Sequence, residues 1–448
     1  MIKRVSLAWV RLWDRPIGAV AWDAERALAT FEYDREFLND KLDVAPLHMP
    51  IDDALRGDGI YAFPALDRDT YMGLPGLLAD ALPDKFGHRI IDAWLARNGI
   101  AANDFSPIER LCYTGRRATG ALEFAPTLNA RIEQSTPVEI AELVELAQAV
   151  TADRGDLDVD LRNDDSNDRE ALLDILRVGT SAGGNRPKAV IAMNAAGHVL
   201  SGQLDAPRGY EHWILKFDGV DDIELGSPQG YGRIEYAYHL MARAAGIVMT
   251  DCRLLEEHGR AHFMTRRFDR HPTDQGPGPS PDLGKLHMQT LCGIAHYDFN
   301  KAGEYGYEQA FTVMRRLRLP QADAVQQFRR MTFNVIARNQ DDHTKNIGFL
   351  MDRAGHWSLS PAYDLTYSHN PAGRWTHQHQ MSINGKRDNF TCADLLAVGD
   401  SIGIRNAREI ITAVVNAVAA WPEHAQAAGV PADRAAAIGT SHRLDLRP

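Results

Sequence analysis

Three side chains stand in the order and at the spacing that phosphoryl transfer uses. Residues 339–346 read N-Q-D-D-H-T-K-N and follow an apolar helical pattern. A hairpin pattern then separates them from S-P-A-Y-D, which ends at Asp364. Moving a phosphoryl group takes a carboxylate that orients the attacking hydroxyl and accepts its proton. It also takes an amide or carboxylate on one Mg2+ and a second carboxylate bridging the metals. Asp341, Asn346 and Asp364 supply those groups in that order. A lone D-x-x-x-x-N is more often a solvated helix-to-strand loop, and the hairpin with Asp364 behind it favours the chemical reading. His343 and Lys345 lie inside the same loop and count with the catalytic candidates; His343 either orients Asp341 or a phosphate, or packs structurally.

The five-residue step from Asp341 to Asn346 equals that of the H-R-D-x-x-x-x-N loop of protein kinases. Lys216 lies on the strand pattern W-I-L-K-F, opposite Trp213, Leu215 and Phe217 by the two-residue period. Such a lysine either snorkels at a sheet edge or holds an anion such as nucleotide phosphates. Glu235 comes nineteen residues later in a helical pattern. It is placed to meet the strand lysine as a kinase helix glutamate does, or to be a solvated first-turn carboxylate. G-T-S-A-G-G-N-R-P-K, residues 179–188, is a glycine-rich loop whose amides around Gly183 and Gly184 can cradle phosphate oxygens, with Lys188 nearby. It is also a plain turn candidate, and Asn185 stands where a Walker A loop needs lysine. Thr180 and Ser181 put hydroxyls in this loop, where they are themselves phosphate acceptors.

Other chemistries lack their residues. His377 and His379 have no carboxylate or cysteine at ligand spacing and read as surface histidines. There is no G-x-S-x-G elbow and no G-x-G-x-x-G fingerprint. The four cysteines stand far apart without a C-x-x-C pair, consistent with a reducing compartment. A net charge of −11 opposes a whole-surface grip on nucleic acid. No signal peptide and no apolar run of bilayer length is legible, so a cytoplasmic protein without membrane contact is expected.

The elements that must position these residues follow from periodicity. The first 70 residues alternate short apolar runs with turn signals and predict a small sheet-rich module. Residues 74–95 predict helices broken near Pro83 and Asp84, residues 139–152 predict another helix, and the acidic stretch 153–170 predicts a linker. Strands are expected at 188–193, 198–200, 211–217, 252–255 and 260–268, with one helix inserted at 233–245. Beyond a Pro/Gly cluster at 272–281, helices are expected at 307–317, 322–338, 405–419 and 431–438, interrupted by the hairpin 347–359.

With those residues assembled, the chain resembles the HipA family of serine/threonine kinases, the toxin components of HipBA-type toxin-antitoxin modules. The likeness rests on G-L-P-G-L-L-A-D-A-L-P-D-K-F-G (73–87), G-A-L-E-F (120–124), the 179–188 loop, R-R-F-D-R (266–270) and, most specifically, N-Q-D-D-H-T-K-N with L-S-P-A-Y-D. It implies an α+β, bilobal kinase-like fold: a small N-terminal subdomain (1–152), a β-rich ATP-binding portion (170–270) and an all-α C-terminal lobe (271–440). It also implies ATP and Mg2+ as cofactors, Asp341 as base, Asn346 and Asp364 as Mg2+ ligands, Lys216 on the nucleotide phosphates, and an adenine hinge at Arg266, Arg267 and Phe268. Autophosphorylation is implied at Ser181 or the adjacent Thr180. The family's substrate is an aminoacyl-tRNA synthetase, and its partner is a helix-turn-helix HipB-like antitoxin through which DNA is reached. A growth-inhibiting kinase is therefore the expectation. The rivals are a non-toxic kinase of another protein or metabolite, a nucleotide-binding regulatory module without transfer, and a metal-dependent phosphohydrolase.

Overall fold

The computed structural model describes residues 4–128, 137–152, 186–202, 206–220, 230–270 and 284–448. The chain divides into two compact units, Met1–Gln229 with Leu255–Met288, and Gly230–Leu254 with Gln289–Pro448. The proposed linker at 153–170 and the Pro/Gly cluster at 272–281 lie outside the described residues.

The first unit begins with a sheet of order β4-β3-β2-β1-β5, built from β1 (Leu7–Leu12), β2 (Arg15–Asp23), β3 (Leu28–Tyr33), β4 (Ile60–Tyr61) and β5 (Leu122–Ala125). Strand alternation buries Ala8, Val10 and Leu12 and leaves Leu7 and Trp9 outside. A second sheet has the order β7-β6-β8-β10-β9, from β6 (Lys188–Asn194), β7 (Val199–Ser201), β8 (Tyr210–Lys216), β9 (Cys252–Glu257) and β10 (Arg260–Arg266). The predicted hairpin and all the predicted strands of this region are present. The helices Lys85–Arg97 and Ile140–Ala152 cover one face of the second sheet, with Ile90, Ile91, Leu143 and Val144 packed on Ala189, Ile191, Trp213 and Leu215. The helical break at Pro83 is real: Asp84 is the N-cap of Lys85–Arg97 and accepts from Gly87 N at 2.7 Å.

Two distant motifs meet in this unit. Gly120 sits at φ 77°, and a side chain there would place its Cβ 2.8 Å from Met288 N, so this position needs glycine. Gly120 N donates to Asp269 Oδ2 at 2.8 Å. Asp269 also takes Arg267 at 2.9 and 2.6 Å and Arg270 at 2.8 Å, and Arg270 donates back to Gly120 O at 2.9 Å. Thus R-R-F-D-R clamps the start of G-A-L-E-F by charge, 150 residues away in sequence.

His287 supplies a pH-dependent term. It is fully buried, and its Nε2 donates to Val44 O at 3.3 Å. Burial pushes its pKa down to about 4, so the folded protein holds it neutral. Its stabilising share is present above the unfolded value near 6.5 and is lost as pH falls toward 4. Going from pH 7 to 5 is expected to cost about 2 kcal/mol through this one group. Urea titrations at both pH values should show that loss in wild type and a smaller one, by about that amount, in His287→Gln.

The second unit is mostly helical. Gln321–Ile336 packs against Ala407–Ala419, burying Phe328, Met331, Val335, Ile411, Val414 and Val418. The strands β12 (Gly348–Met351) and β13 (Trp357–Leu359) form the expected hairpin, so the lobe expected as all-α carries strands; β11 (His287–Thr290) runs across the boundary between the two residue ranges. The helix Tyr231–Ala244 was expected inside the β-rich portion. It belongs instead to this unit, where Tyr238 OH donates to Ala337 O at 2.6 Å. No helix among the described residues is long and apolar enough to cross a membrane, and none of the four cysteines is in a disulfide.

Candidate active site

The catalytic-loop candidate begins where Gln321–Ile336 ends. Arg338 turns the chain in the left-handed region at φ 56°. Asn339 then forms a parallel bridge with Ser368, sealed by Gln340 N to Ser368 O and Ser368 N to Arg338 O, both at 3.2 Å. A buried carboxamide pair supports the turn, Asn339 Nδ2 donating to Asn334 Oδ1 at 3.0 Å.

The two adjacent aspartates have opposite surroundings. The Asp341 side chain is 46 % exposed and the Asp342 side chain 1 %. Asp342 is saturated: Oδ2 accepts Tyr307 OH at 2.9 Å and His379 Nδ1 at 2.8 Å, and Oδ1 accepts Gln380 N at 2.8 Å. Burial and the Asp342 charge raise the Tyr307 phenol well above its usual range, which keeps it a donor. One carboxylate of the pair therefore holds the loop, and the other is presented outward.

Asn346 closes the loop. Its N donates to His343 O at 2.9 Å and its Nδ2 to Asp341 O at 2.8 Å, which leaves Oδ1 as the acceptor end of the amide. His343 Nε2 lies 3.9 Å from Asp341 Oδ1, too far for a hydrogen bond, while its ring meets Phe299 edge-on at 5.5 Å; packing is its visible role. Lys345 stands over Phe299 with Nζ 4.5 Å from the ring centroid, a cation–π contact. Its carbonyl accepts Tyr363 OH at 2.6 Å, which ties the loop to the segment carrying Asp364. That segment is pinned upstream by Ala362 N to Val248 O at 2.9 Å. Asp364 itself has φ 56°, a left-handed conformation that costs a non-glycine residue about 1 kcal/mol or more and gathers at functional positions. Beneath the loop, Arg330 is buried with Nη2 on Ser360 O at 2.6 Å, and burial lowers its pKa to about 10. It lines one recess with Asn346, His343 and Asp342, and so brings positive charge to the loop's inner wall.

Among the described residues no group of three or more His, Cys, Asp or Glu forms a metal cage. Mg2+ does not need one, because it is commonly held by one or two protein oxygens together with water and substrate phosphates. Asn346 Oδ1 and the Asp364 carboxylate are hard oxygen donors of that kind, and the Asn346 amide is held with its oxygen end away from the Asp341 carbonyl.

Of the remaining candidates, Lys188, Lys216, Arg266, Arg267 and Phe268 belong to the first unit. Lys216 is half-buried on β8, on the face away from Trp213 and Leu215, with Nζ 5.8 Å from the Phe263 ring centroid. Lys188 sits directly opposite it in the β6–β8 register, but is buried in an ion pair with Asp84 at 3.1 Å rather than standing open as a phosphate cradle. Arg267, expected near the adenine, is buried and committed to Asp269. Arg266 reaches Glu211 at 3.1 Å, and Phe268 is half-buried. Glu235 is 2 % exposed, which removes the solvated first-turn reading. Thr180, Ser181, Gly183 and Gly184 lie outside the described residues. His377 is exposed as expected, but His379 is buried on Asp342 and is no surface histidine.

Sequence reasoning missed Asp342, Tyr307, Asn334 and His379. The available signal was the aspartate doublet, of which the three-group reading used only Asp341 and left Asp342 without a role.

Residues 8–125 match the family model of the HipA N-terminal domain, and residues 180–421 match that of the HipA-like C-terminal domain. A curated relative named "Putative kinase Y4mE", from Sinorhizobium fredii, is 23 % identical over 281 residues. The match covers 59 % of this chain and spans only 57 % of that relative's length. Among solved structures, the HipA of the Shewanella oneidensis MR-1 complex of HipA, HipB and operator DNA aligns over 97 % of this chain and 94 % of that chain. The TM-score is 0.67 at 16 % identity, which is a likeness of fold.

Proposed function

The chain belongs to the HipA family, and from that premise we propose that it is a protein kinase that transfers the γ-phosphoryl of ATP, with Mg2+, to a serine or threonine hydroxyl. The observation that carries this reading is the loop itself: Asp342 is consumed internally, Asp341 faces outward, and the Asn346 amide is turned by the Asp341 carbonyl to offer its oxygen. In this reading Asp341 orients the acceptor hydroxyl and takes its proton. Asn346 and Asp364 are assigned to Mg2+, which when bound neutralises charge on the transferring group. Two like charges facing across a ladder are unfavourable. Asp84 neutralises Lys188, and Lys216 is assigned to the nucleotide phosphates. Glu235 is assigned to position Lys216, and Ser181 or Thr180 to autophosphorylation.

The structural relative is assembled with HipB and operator DNA. By that likeness we assign this chain a HipB-like partner, and the net charge of −11 suits contact with DNA through such a partner. An aminoacyl-tRNA synthetase is the proposed substrate class, growth inhibition the proposed outcome, and the cytoplasm the proposed place.

Calorimetric titration with a non-hydrolysable ATP analogue tests the nucleotide and metal assignment. Mg2+ is expected to strengthen binding in wild type, and Asp364→Asn is expected to weaken the Mg2+-dependent part at least about tenfold. Equal Mg2+-dependent binding in both proteins would remove Asp364 from the metal.

A further inference from the structure

We propose that Asp342 and His379 form a positioning pair that sets the 341–342 peptide, and through it both the Asp341 carboxylate and the Asn346 amide; this rests on the phosphotransfer reading above. The Asp342 carboxylate is held at three points, by Tyr307, His379 and the Gln380 amide, each within 2.9 Å. Those donors come from different parts of the unit: the first residue of the helix Tyr307–Arg316 and the loop after residue 370. The next layer is also fixed. Asn334 Nδ2 donates to Tyr307 OH at 3.0 Å, Arg387 Nε donates to His379 O at 2.7 Å, and the His379 ring lies 5.3 Å from that of Phe390. The Asp341 carbonyl belongs to the peptide that Asp342 anchors, and it accepts Asn346 Nδ2 at 2.8 Å. Displacing Asp342 therefore moves the base and one proposed Mg2+ ligand together.

A purely structural role would not demand a hydrogen-bonded polar pair here. Well-packed apolar side chains can replace a buried charged group with no loss of stability, and often with a gain. What an apolar replacement cannot do is take hydrogen bonds from three directions, as the Asp342 carboxylate does beside the 341–342 peptide. Reactive geometry is sensitive to this, since a displacement of about 1 Å can cost on the order of 10²-fold in rate.

The test uses three full-length proteins, wild type, His379→Leu and His379→Asn, the asparagine placing an amide donor where Nδ1 stands. His379→Leu is expected to lower kcat by about 10²-fold and to weaken the Mg2+-dependent part of ATP binding as well, since the Asn346 amide moves with the base. His379→Asn is expected to recover at least tenfold of that loss. Hydrogen exchange of the 339–346 amides, read without any activity, should rise at least tenfold in His379→Leu and return toward wild type in His379→Asn. Wild-type kcat and unchanged loop exchange in His379→Leu would overturn the positioning pair. So would a loss that tracks only the unfolded fraction seen by calorimetry. A wild type that transfers no phosphate would overturn the kinase reading instead, and the exchange measurement would still decide the positioning role.

Discussion

Replacing Asp341 by Asn is expected to cut phosphoryl transfer by about 10³-fold while leaving ATP binding within about twofold of wild type. The substitution keeps the volume and removes only the group that can take a proton. At 46 % exposure Asp341 holds up no core, so the change in stability should stay within about 0.5 kcal/mol. A 10³-fold loss corresponds to about 4 kcal/mol of transition-state stabilisation, the scale of one general base in a preorganised site. Single-turnover transfer beside calorimetric ATP titration separates the two effects. Full transfer by Asp341→Asn would take Asp341 out of the base role and leave the phosphotransfer reading to rest on Asn346 and Asp364.

The second large effect concerns the fold. Asp269→Ala is expected to destabilise the first unit by about 3–5 kcal/mol, the cost of breaking a buried charge pair by removing one partner. Burial opposes the Asp269 charge, yet Arg267 and Arg270 outweigh it and hold its carboxyl well below the usual range. Removing it strands the Arg267 guanidinium, which is buried among these contacts, and releases the Gly120 amide that keeps G-A-L-E-F in place. Equilibrium urea unfolding reads the change, and Asp269→Asn, which keeps acceptor geometry without the charge, should fall between wild type and Asp269→Ala. A loss under about 1 kcal/mol in Asp269→Ala would mean that the clamp adds little to the fold.

Local physics was legible in the sequence, and distant pairing was not. The two-residue period of W-I-L-K-F placed Trp213 and Leu215 in the core and Lys216 on the other face, because alternation is a property of the strand alone. The hairpin at β12 and β13 and the helix before residue 339 were readable for the same reason. Asp341 and Asn346 were legible together because they stand five positions apart in one loop. Lys188 was read as a phosphate ligand because its neighbours are glycines, yet its partner Asp84 lies about a hundred residues upstream, on a helix cap. The family resemblance implied an adenine hinge at Arg267, and Asp269, two residues on, binds its side chain with both oxygens. His379 offered no local cue: it sits 37 residues beyond Asp342, and only the fold brings the two together. Lys188 and His379, whose partners are far away in sequence, are the kind of side chain a linear pattern misplaces.

Intact mass after incubation with ATP and Mg2+, measured beside Asp364→Ala and followed by peptide mapping, tests the kinase reading most directly. A gain of one phosphate in wild type only, mapped to Ser181 or Thr180, is the expected result. An unchanged mass in a wild type that started without phosphate, or an equal gain in Asp364→Ala, would contradict it.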